Sequence, residues 1–178
     1  MEVDHPSIVL LSGPVGAGKT TIAQALVTNT SHPCILIEGD TFWSFIAHPS
    51  LDQPPHKRFM MTMRAMIAAA VPYASSKYEV IVDFSIPPWF LDTAKAIATF
   101  KGADLHYIVL LPPEEVCADR AAARLEGTIA DYSTYRDLYA DFTKAGPAHT
   151  LEPDATDPAE IARLIRQGLT SGRFRVAG

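Results

Sequence analysis

The sequence has few of the features that mark exported, membrane-spanning, disulfide-bonded or zinc-binding proteins. It holds only two cysteines, Cys34 and Cys117, and they form no CxxC pair. We therefore expect two buried thiols in a reducing compartment and no zinc site. Its longest apolar runs are too short to cross a bilayer, and the N-terminal stretch is acidic where a signal peptide would be basic. The sequence thus favours a cytoplasmic protein without membrane association.

Clustered positive charge is also missing. The chain has 15 Lys and Arg against 20 Asp and Glu, a formal net charge of −5. Binding to nucleic acid depends on clustered cations that release counterions, so we expect no nucleic-acid partner. A length of 178 residues suits one domain with its own core, and we expect a single domain over residues 1–178 that acts as a monomer or a homodimer.

Short apolar runs alternate along the chain with longer helical patterns. Strands are predicted at residues 7–12, 33–38, 78–83, 104–111 and 148–151, and helices at 19–28, 41–46, 57–71, 89–100, 112–126, 133–144 and 157–169. Pro72 is expected to stop the third helix and Gly127 to end the fifth. This alternation predicts a parallel sheet covered by helices on both faces, an α/β fold that binds ligands beyond the carboxyl ends of its strands.

Residues 13–20 read GPVGAGKT and fit the P-loop pattern G-x-x-x-x-G-K-[ST] at every defined position. The motif follows an apolar strand and opens a helix, which disfavours a chance glycine-rich turn. We expect Lys19 to bridge the β- and γ-phosphates of ATP and Thr20 to bind Mg²⁺. The predicted cofactor-binding residues are Gly13, Val15, Gly16, Ala17, Gly18, Lys19, Thr20 and Thr21.

Two aspartates follow strands at the edge where the ligand is expected. Asp83 ends the run Val-Ile-Val-Asp and is predicted to hold Mg²⁺ beside the P-loop, although a turn carboxylate would also fit. Asp40 follows the second strand and is predicted to accept the proton of an attacking hydroxyl. Its alternative role is the N-cap of a helix that begins at Thr41. Glu38 is a weaker candidate for the base.

Arg120 and Arg124 lie one helical turn apart and therefore share a face. On a mobile lid over residues 120–136 they would neutralise charge on the transferred phosphate, and both are candidate catalytic residues. The alternative is a solvated helix face with Glu114 among its ion-pair partners. Arg136 is a third candidate for the lid.

Aromatic and basic residues near the expected acceptor side have two possible roles. Trp43, Phe45 and Trp89 lie close to strand ends, where they would wall an acceptor pocket or fill the core. Arg64 and Arg58 belong to the long third helix and would hold a polar group of the substrate or face solvent. The sequence does not decide between these roles.

Taken together, these features resemble the small P-loop kinases over nearly the whole chain. The resemblance rests on the P-loop, the Gly39-Asp40 pair after the second strand, Asp83 at the end of the third, and the arginines after the fourth. The chain is most similar to the chloramphenicol phosphotransferase-like and the gluconate or shikimate kinase-like branch. Residues 106–111 and 171–175 are similar to small bacterial proteins of the AAA-type ATPase class.

This resemblance implies a three-layer P-loop NTPase fold whose five-stranded parallel sheet has the order 2-3-1-4-5. It implies ATP with Mg²⁺ and phosphoryl transfer to a small hydroxylated substrate. It places the family's carboxylate at Asp40 and the lid arginines at Arg120 and Arg124. It also places residues 153–156 against the adenine.

The sequence departs from the named enzymes at the acceptor side. Asp40 is followed by Thr-Phe-Trp, and the histidine that follows the aspartate in gluconate kinases is absent. The acceptor is therefore open, from a metabolite to an antibiotic. An ATPase or nucleotide-dependent switch without a small acceptor is the alternative function. No NKxD guanine motif is present, which favours ATP over GTP.

Overall fold

The computed structural model describes residues 7–50, 52–99, 102–125, 127–152 and 157–177. Its strands are β1 Ser7–Ser12, β2 Cys34–Glu38, β3 Glu79–Asp83, β4 Asp104–Leu110 and β5 Thr150–Leu151. Its α-helices are α1 Lys19–Thr28, α2 Gly39–Ser44, α3 Pro55–Ser75, α4 Leu91–Thr99, α5 Glu114–Ala122, α6 Arg136–Phe142 and α7 Pro158–Thr170. Short 3₁₀ turns, Pro88–Phe90 and Ser133–Tyr135, lead into α4 and α6.

The five strands form one parallel sheet in the order β2-β3-β1-β4-β5, as predicted. Side chains of a strand alternate between the two faces, so Ile8 and Leu10 enter one core while Val9 and Leu11 enter the other. The carboxyl ends of β1, β2 and β3 meet at the same edge. Glu38 there lies directly opposite Asp83 in the register of β2 and β3.

Helices cover both faces of the sheet and complete the predicted three layers. Helices α3 and α4 pack on the face that carries Ile8, and α1 and α7 pack on the face that carries Val9. The apolar stripe of α3 is fully buried, because its spacing of three and four residues presents one side to the sheet. Its members are Met63, Met66, Ile67 and Ala70.

Several helix boundaries differ from those predicted, most clearly those of α2, α3 and α5. Helix α3 continues through Pro72 to Ser75, because a proline in the last turn disturbs few helical bonds and the extension buries Ala74. Helix α2 begins at Gly39 and not at Thr41.

Helix α5 ends at Ala122, well before Gly127. The chain there turns back, and the Ile129 amide donates to the Ala121 carbonyl at 3.1 Å, so a returning segment satisfies the helix end. Gly127 still adopts a left-handed φ of 65° in the segment that follows.

Helix α7 starts as predicted and is fixed to the sheet by an ion pair. Asp157 is its N-cap and accepts from the Ala159 amide at 2.9 Å. Arg166 contacts both carboxylate oxygens of buried Glu79 on β3, at 2.6 and 2.5 Å, and donates to the Leu26 carbonyl of α1 at 3.1 Å. One guanidinium therefore joins α7, β3 and α1.

Two further sequence-based expectations concern burial and membranes. Cys117 is fully buried as expected, whereas Cys34 is only half-buried, because β2 is an edge strand of the sheet. Within the ranges that the structure describes, no helix combines the length and apolarity needed to cross a bilayer.

Candidate active site

The loop between β1 and α1 is shaped by glycines whose backbone no other residue fits. Gly13, Gly16 and Gly18 have φ values of 140°, 84° and 89°. A Cβ on Gly16 would come within 2.0 Å of the Cys117 carbonyl oxygen, and one on Gly13 within 2.3 Å of the Leu110 carbonyl oxygen. The loop is therefore packed tightly against α5 and the end of β4, which fixes its path into α1.

Lys19 folds back over this loop. Its ammonium donates to the carbonyl oxygens of Gly13 at 3.1 Å and Pro14 at 2.9 Å. Burial lowers the pKa of Lys19 to about 8, and the charge of Arg124 acts in the same direction, while Asp83 and Asp40 oppose the change. The four charged groups are thus close enough to one another to interact.

Asp83 ends β3 next to Thr20. Its side chain is almost fully buried, and this burial raises its pKa. A hydrogen bond from Thr20 and the charge of Lys19 lower the pKa in part, whereas Asp40 and Glu38 raise it further. The hydroxyl and the carboxylate that were predicted to bind Mg²⁺ are therefore neighbours.

Asp40 is free of the capping role that the sequence left open. Helix α2 begins one residue earlier, Glu38 occupies the N-cap position, and no side chain caps this helix. The Asp40 carboxylate is instead exposed and lines a pocket together with Lys19 and Asp83. The N-cap alternative is therefore wrong.

This pocket has a volume of about 420 Å³ and lies beyond the carboxyl ends of β1, β2 and β3. One part of its wall is charged and polar, and the other part is mainly aromatic. The charged and hydroxyl-bearing members include Lys19, Thr20, Glu38, Asp40, Asp83 and Arg124. The apolar and aromatic members include Trp43, Phe59, Phe84, Tyr135 and Leu138.

The three candidate arginines occupy different surroundings. Arg124 lines the pocket. Arg120 is absent from the pocket lining but lies beside the P-loop, where its Nη1 would be 3.8 Å from a Cβ on Gly18. Arg136 forms an exposed ion pair with Glu114 at 3.0 Å. The structure therefore brings Arg124 to the pocket and Arg120 to Gly18 of the P-loop, whereas Arg136 pairs with Glu114.

Of the aromatic residues that the sequence suggested as a wall, Trp43 alone is in that position. Phe45 packs on Phe42 with ring centroids 5.1 Å apart and is 67% exposed. Trp89 donates to Asp141 at 3.0 Å, at the junction of the 3₁₀ turn with α6.

The two arginines of α3 also fail to reach the pocket lining. Arg58 donates to the Gln53 carbonyl at 3.1 Å. Arg64 is exposed and is not among the lining residues of the pocket.

Sequence reasoning missed most of the apolar wall. The helical spacing puts Phe59 on the same face of α3 as Met63 and Met66, yet Phe59 is half-buried and tilts against Phe84 with ring centroids 5.6 Å apart. Phe84 directly follows Asp83, and its position after a strand end was the signal that could have identified it. Tyr135 and Leu138 reach the pocket only through the tertiary fold.

The segment after α5 is tied to the phosphate loop by a tyrosine. The Tyr132 hydroxyl donates to the Val15 carbonyl at 2.7 Å, in the middle of the P-loop. The Tyr139 hydroxyl makes a bond of the same kind, to the Pro112 carbonyl at 2.9 Å, near the start of α5. The predicted lid region is thus in direct contact with the loop.

The loop after β3 is anchored to β1 and β4 through one residue, Ile86. The Ser12 hydroxyl donates to its carbonyl at 2.9 Å and accepts from its amide at 2.8 Å. The Tyr107 hydroxyl of β4 donates to the same carbonyl at 2.7 Å. Phe84 therefore stands on a loop that is bonded to both β1 and β4.

One predicted contact cannot be placed. Residues 153–156, expected against the adenine, lie outside the described residues, as does Glu126, a possible partner of the lid arginines.

Comparison with known proteins gives the family and the fold. The AAA domain family matches residues 8–138, and the chain belongs to that family. No curated protein sequence matches the chain. The fold is that of P-loop kinases: the APS kinase CysC of Mycobacterium tuberculosis, solved with AMPPNP and APS, is 17% identical with a TM-score of 0.73, over 93% of this chain and 98% of that one.

Two other solved structures are similar in the same way. The tunicamycin resistance protein of Deinococcus radiodurans is 18% identical with a TM-score of 0.69, over 98% of this chain and all (100%) of that one. A gluconokinase from Sinorhizobium meliloti is 22% identical with a TM-score of 0.59, over 94% of each chain.

Proposed function

We propose that this member of the AAA domain family is an ATP-dependent phosphotransferase that acts on a hydroxyl group of a small compound. The observation that supports the proposal most is the shared pocket of Lys19, Thr20, Asp83 and Asp40. A carboxylate free of helix capping in that cavity is what a transfer reaction needs and a phosphate-binding loop alone does not. Residues 1–178 act as a single domain, in the cytoplasm, as a monomer or a homodimer.

The donor side follows from the loop. The backbone N–H groups of Gly13 and of residues 15–21 surround the phosphates of ATP, and Lys19 exchanges its bonds to Gly13 and Pro14 for phosphate oxygens. The similar APS kinase was solved with AMPPNP, which supports an adenine nucleotide as donor.

A magnesium ion fits beside Thr20 and Asp83. In the described part of the chain, no three His, Cys, Asp or Glu side chains gather into a ligand set. Mg²⁺ commonly takes few protein ligands and completes its shell with phosphate and water oxygens, so one hydroxyl and one buried carboxylate suffice. The bound ion neutralises charge on the phosphates.

Phosphoryl transfer then needs a base for the acceptor proton and cations that stabilise the transferred group. The acceptor oxygen attacks the γ-phosphorus, its proton passes to Asp40, and the bond from the γ-phosphorus to the β–γ bridging oxygen breaks with the electron pair leaving on ADP. Lys19 and Arg124 neutralise the charge that spreads over the transferred group. Arg120, next to Gly18, steadies the P-loop.

The test is the variant Asp40→Asn, assayed for ATP binding and for ADP release with a panel of hydroxylated compounds. We expect transfer to fall by about 10²-fold or more while the affinity for ATP stays within about twofold, because the base alone is lost. Unchanged turnover in this variant would exclude Asp40 as the base. Steady ATP hydrolysis that no acceptor accelerates would favour the nucleotide-dependent switch.

A further inference from the structure

The part of the pocket that faces away from the phosphate loop is built from rings. Trp43 of α2, Phe59 of α3 and Phe84 after β3 line it, and Leu138 of α6 lines the same cavity. Phe59 and Phe84 are in contact at 5.6 Å between ring centroids, and Trp43 stays 40% exposed. Such a wall leaves apolar area open to a ligand and offers flat faces on which a ring can stack.

The charges of the lining are unsuited to an anion. Of the described residues that line the pocket, Lys19 and Arg124 are cationic and Glu38, Asp40 and Asp83 are anionic. Lys19 belongs to the phosphate loop. Glu38 and Asp40 both raise the pKa of Asp83, so the three carboxylates already repel one another.

Among the described residues that line the pocket, no cation other than Lys19 and Arg124 compensates for Glu38 and Asp40. Arg58 and Arg64, the nearest candidates on α3, are absent from the pocket lining. Once the triphosphate engages Lys19 and Arg124, an acceptor would meet two carboxylates, Glu38 and Asp40, beside aromatic rings. Thr41, Ser85 and Tyr135 provide hydroxyl groups, which are suited to neutral polar substituents.

We infer that the acceptor is a hydroxyl compound without negative charge that presents a flat, largely apolar ring to Trp43, Phe59 and Phe84. The inference rests on the proposed function, since it describes the second substrate of the same site. A carboxylate, sulfate or phosphate on the acceptor would be repelled by Glu38 and Asp40 without gaining a partner.

The experiment compares two ligands that differ only in charge. 4-(Hydroxymethyl)benzamide and 4-(hydroxymethyl)benzoate have the same ring and hydroxyl, but only the benzoate is an anion. Their binding is measured by ligand-observed NMR with the full chain loaded with Mg²⁺ and AMPPNP. We expect the amide to bind about tenfold tighter or more, as repulsion by two carboxylates implies.

Variants then identify the cause of that preference. Glu38→Gln should raise the affinity for the benzoate several-fold relative to that for the amide, while Glu115→Gln, on the exposed side of α5, should leave the ratio of the two affinities unchanged. Trp43→Ala should weaken the binding of the amide, and Trp43→Arg should make the benzoate bind more tightly than the amide. Trp43 is partly exposed, so these changes should spare the fold.

The outcomes separate this inference from the proposed function. Both compounds are also incubated with ATP, and phosphomonoester formation is followed by ³¹P NMR. Preferential binding of the amide without transfer to any acceptor would support the ring pocket and overturn the phosphotransferase. Equal or tighter binding of the benzoate, or failure of both compounds to bind, would overturn the inference. Transfer to other, anionic hydroxyl compounds would then still support the phosphotransferase.

Discussion

The ring of Phe84 occupies the space that a side chain on Gly39 would need. A Cβ at Gly39 would come within 2.1 Å of Phe84 Cδ2 and 2.7 Å of Phe84 Cβ. The start of α2 is therefore pressed against the loop after β3, and Asp40 follows directly. The glycine is required for this close approach and not for a left-handed backbone.

The first prediction concerns this contact. Gly39→Ala should destabilise the fold by about 1–3 kcal/mol, because neither the ring nor the helix start can move without strain. Transfer should fall by about tenfold through displacement of Asp40. Urea unfolding and turnover with the best acceptor measure the two effects.

The control is Gly146→Ala. Gly146 has a φ of 76° and open space around its Cβ position, so alanine there should cost about 1–2 kcal/mol of backbone strain without changing turnover. Full activity of Gly39→Ala would show that Asp40 does not depend on this packing.

The second prediction follows from the pKa of Lys19, which burial lowers to about 8. Between this value and its usual 10.5, the folded nucleotide-free protein holds fewer protons on Lys19 than the unfolded chain does. The contribution of Lys19 to folding stability therefore rises with pH across this window. Phosphates favour the ammonium form, so ATP binding near pH 9 should take up a proton and weaken as the pH increases.

Calorimetry of ATP binding in buffers of different ionisation enthalpy measures that proton uptake. The variant Lys19→Met should bind ATP weakly and without this uptake. A wild-type affinity that stays constant from pH 7 to pH 10 would contradict a lowered pKa at Lys19.

The third prediction concerns the bond between Tyr132 and the P-loop. Tyr132→Phe removes the donor to Val15, a loss of about 1 kcal/mol. If the segment after α5 closes on bound nucleotide, the dissociation constant for ATP should rise about fivefold. Equilibrium binding of AMPPNP measures the change. Tyr139→Phe is the matched control, since it removes the same kind of bond, to Pro112, and should alter stability but not nucleotide affinity.

The fourth prediction distinguishes the two arginines of the lid region. Arg124 lines the pocket beside Lys19, so Arg124→Met should lower the transfer rate by about 10²–10³-fold. Arg120 is absent from the pocket lining and lies beside Gly18, so Arg120→Met should cost less than about tenfold. Single-turnover rates at saturating ATP compare the two. Arg136→Met, which breaks an exposed ion pair, is the neutral reference.

The fifth prediction is about stability away from the pocket. Arg166→Met leaves the buried Glu79 carboxylate without its partner and should cost about 3–5 kcal/mol. The double variant with Glu79→Met should recover most of that loss, because no buried charge remains. Thermal unfolding compares the single and double variants. Similar stability of both would mean that the carboxylate finds water or another partner.

The parallel sheet and the donor side could be predicted from local signals, whereas the strand order was implied by the resemblance to the small P-loop kinases. The P-loop has a fixed spacing, and Asp83 directly follows an apolar strand, so the chain itself identifies them. Asp40 could be placed at the right edge but not given a role, since a helix cap and a base share the same position. The helix start at Gly39 excludes the helix cap, and the role of Asp40 as the base stays a prediction.

Most of the apolar wall could not be predicted, because its members come from separate parts of the chain. Phe59 has the spacing of the core stripe of α3, and nothing in the sequence showed that the N-terminal part of that helix lines the cavity. Tyr135 and Leu138 follow α5 on a segment whose path is set by distant bonds such as Ile129 to Ala121. The path of the chain after α5 also decides which of Arg120 and Arg124 lines the pocket.

The bonds at Ile86 restrict how such a site can diverge. A substitution that shifts residues 84–86 would also pull on Ser12, which precedes the phosphate loop, and on Tyr107 of β4. The proposed donor and acceptor sides share this one anchor, so substitutions in the loop after β3 would disturb both sides. Helices α2 and α3 also line the cavity, through Trp43 and Phe59, but take no part in the bonds at Ile86. Substitutions at Trp43 and Phe59 should therefore change the preference for the proposed acceptor with the least effect on the phosphate loop.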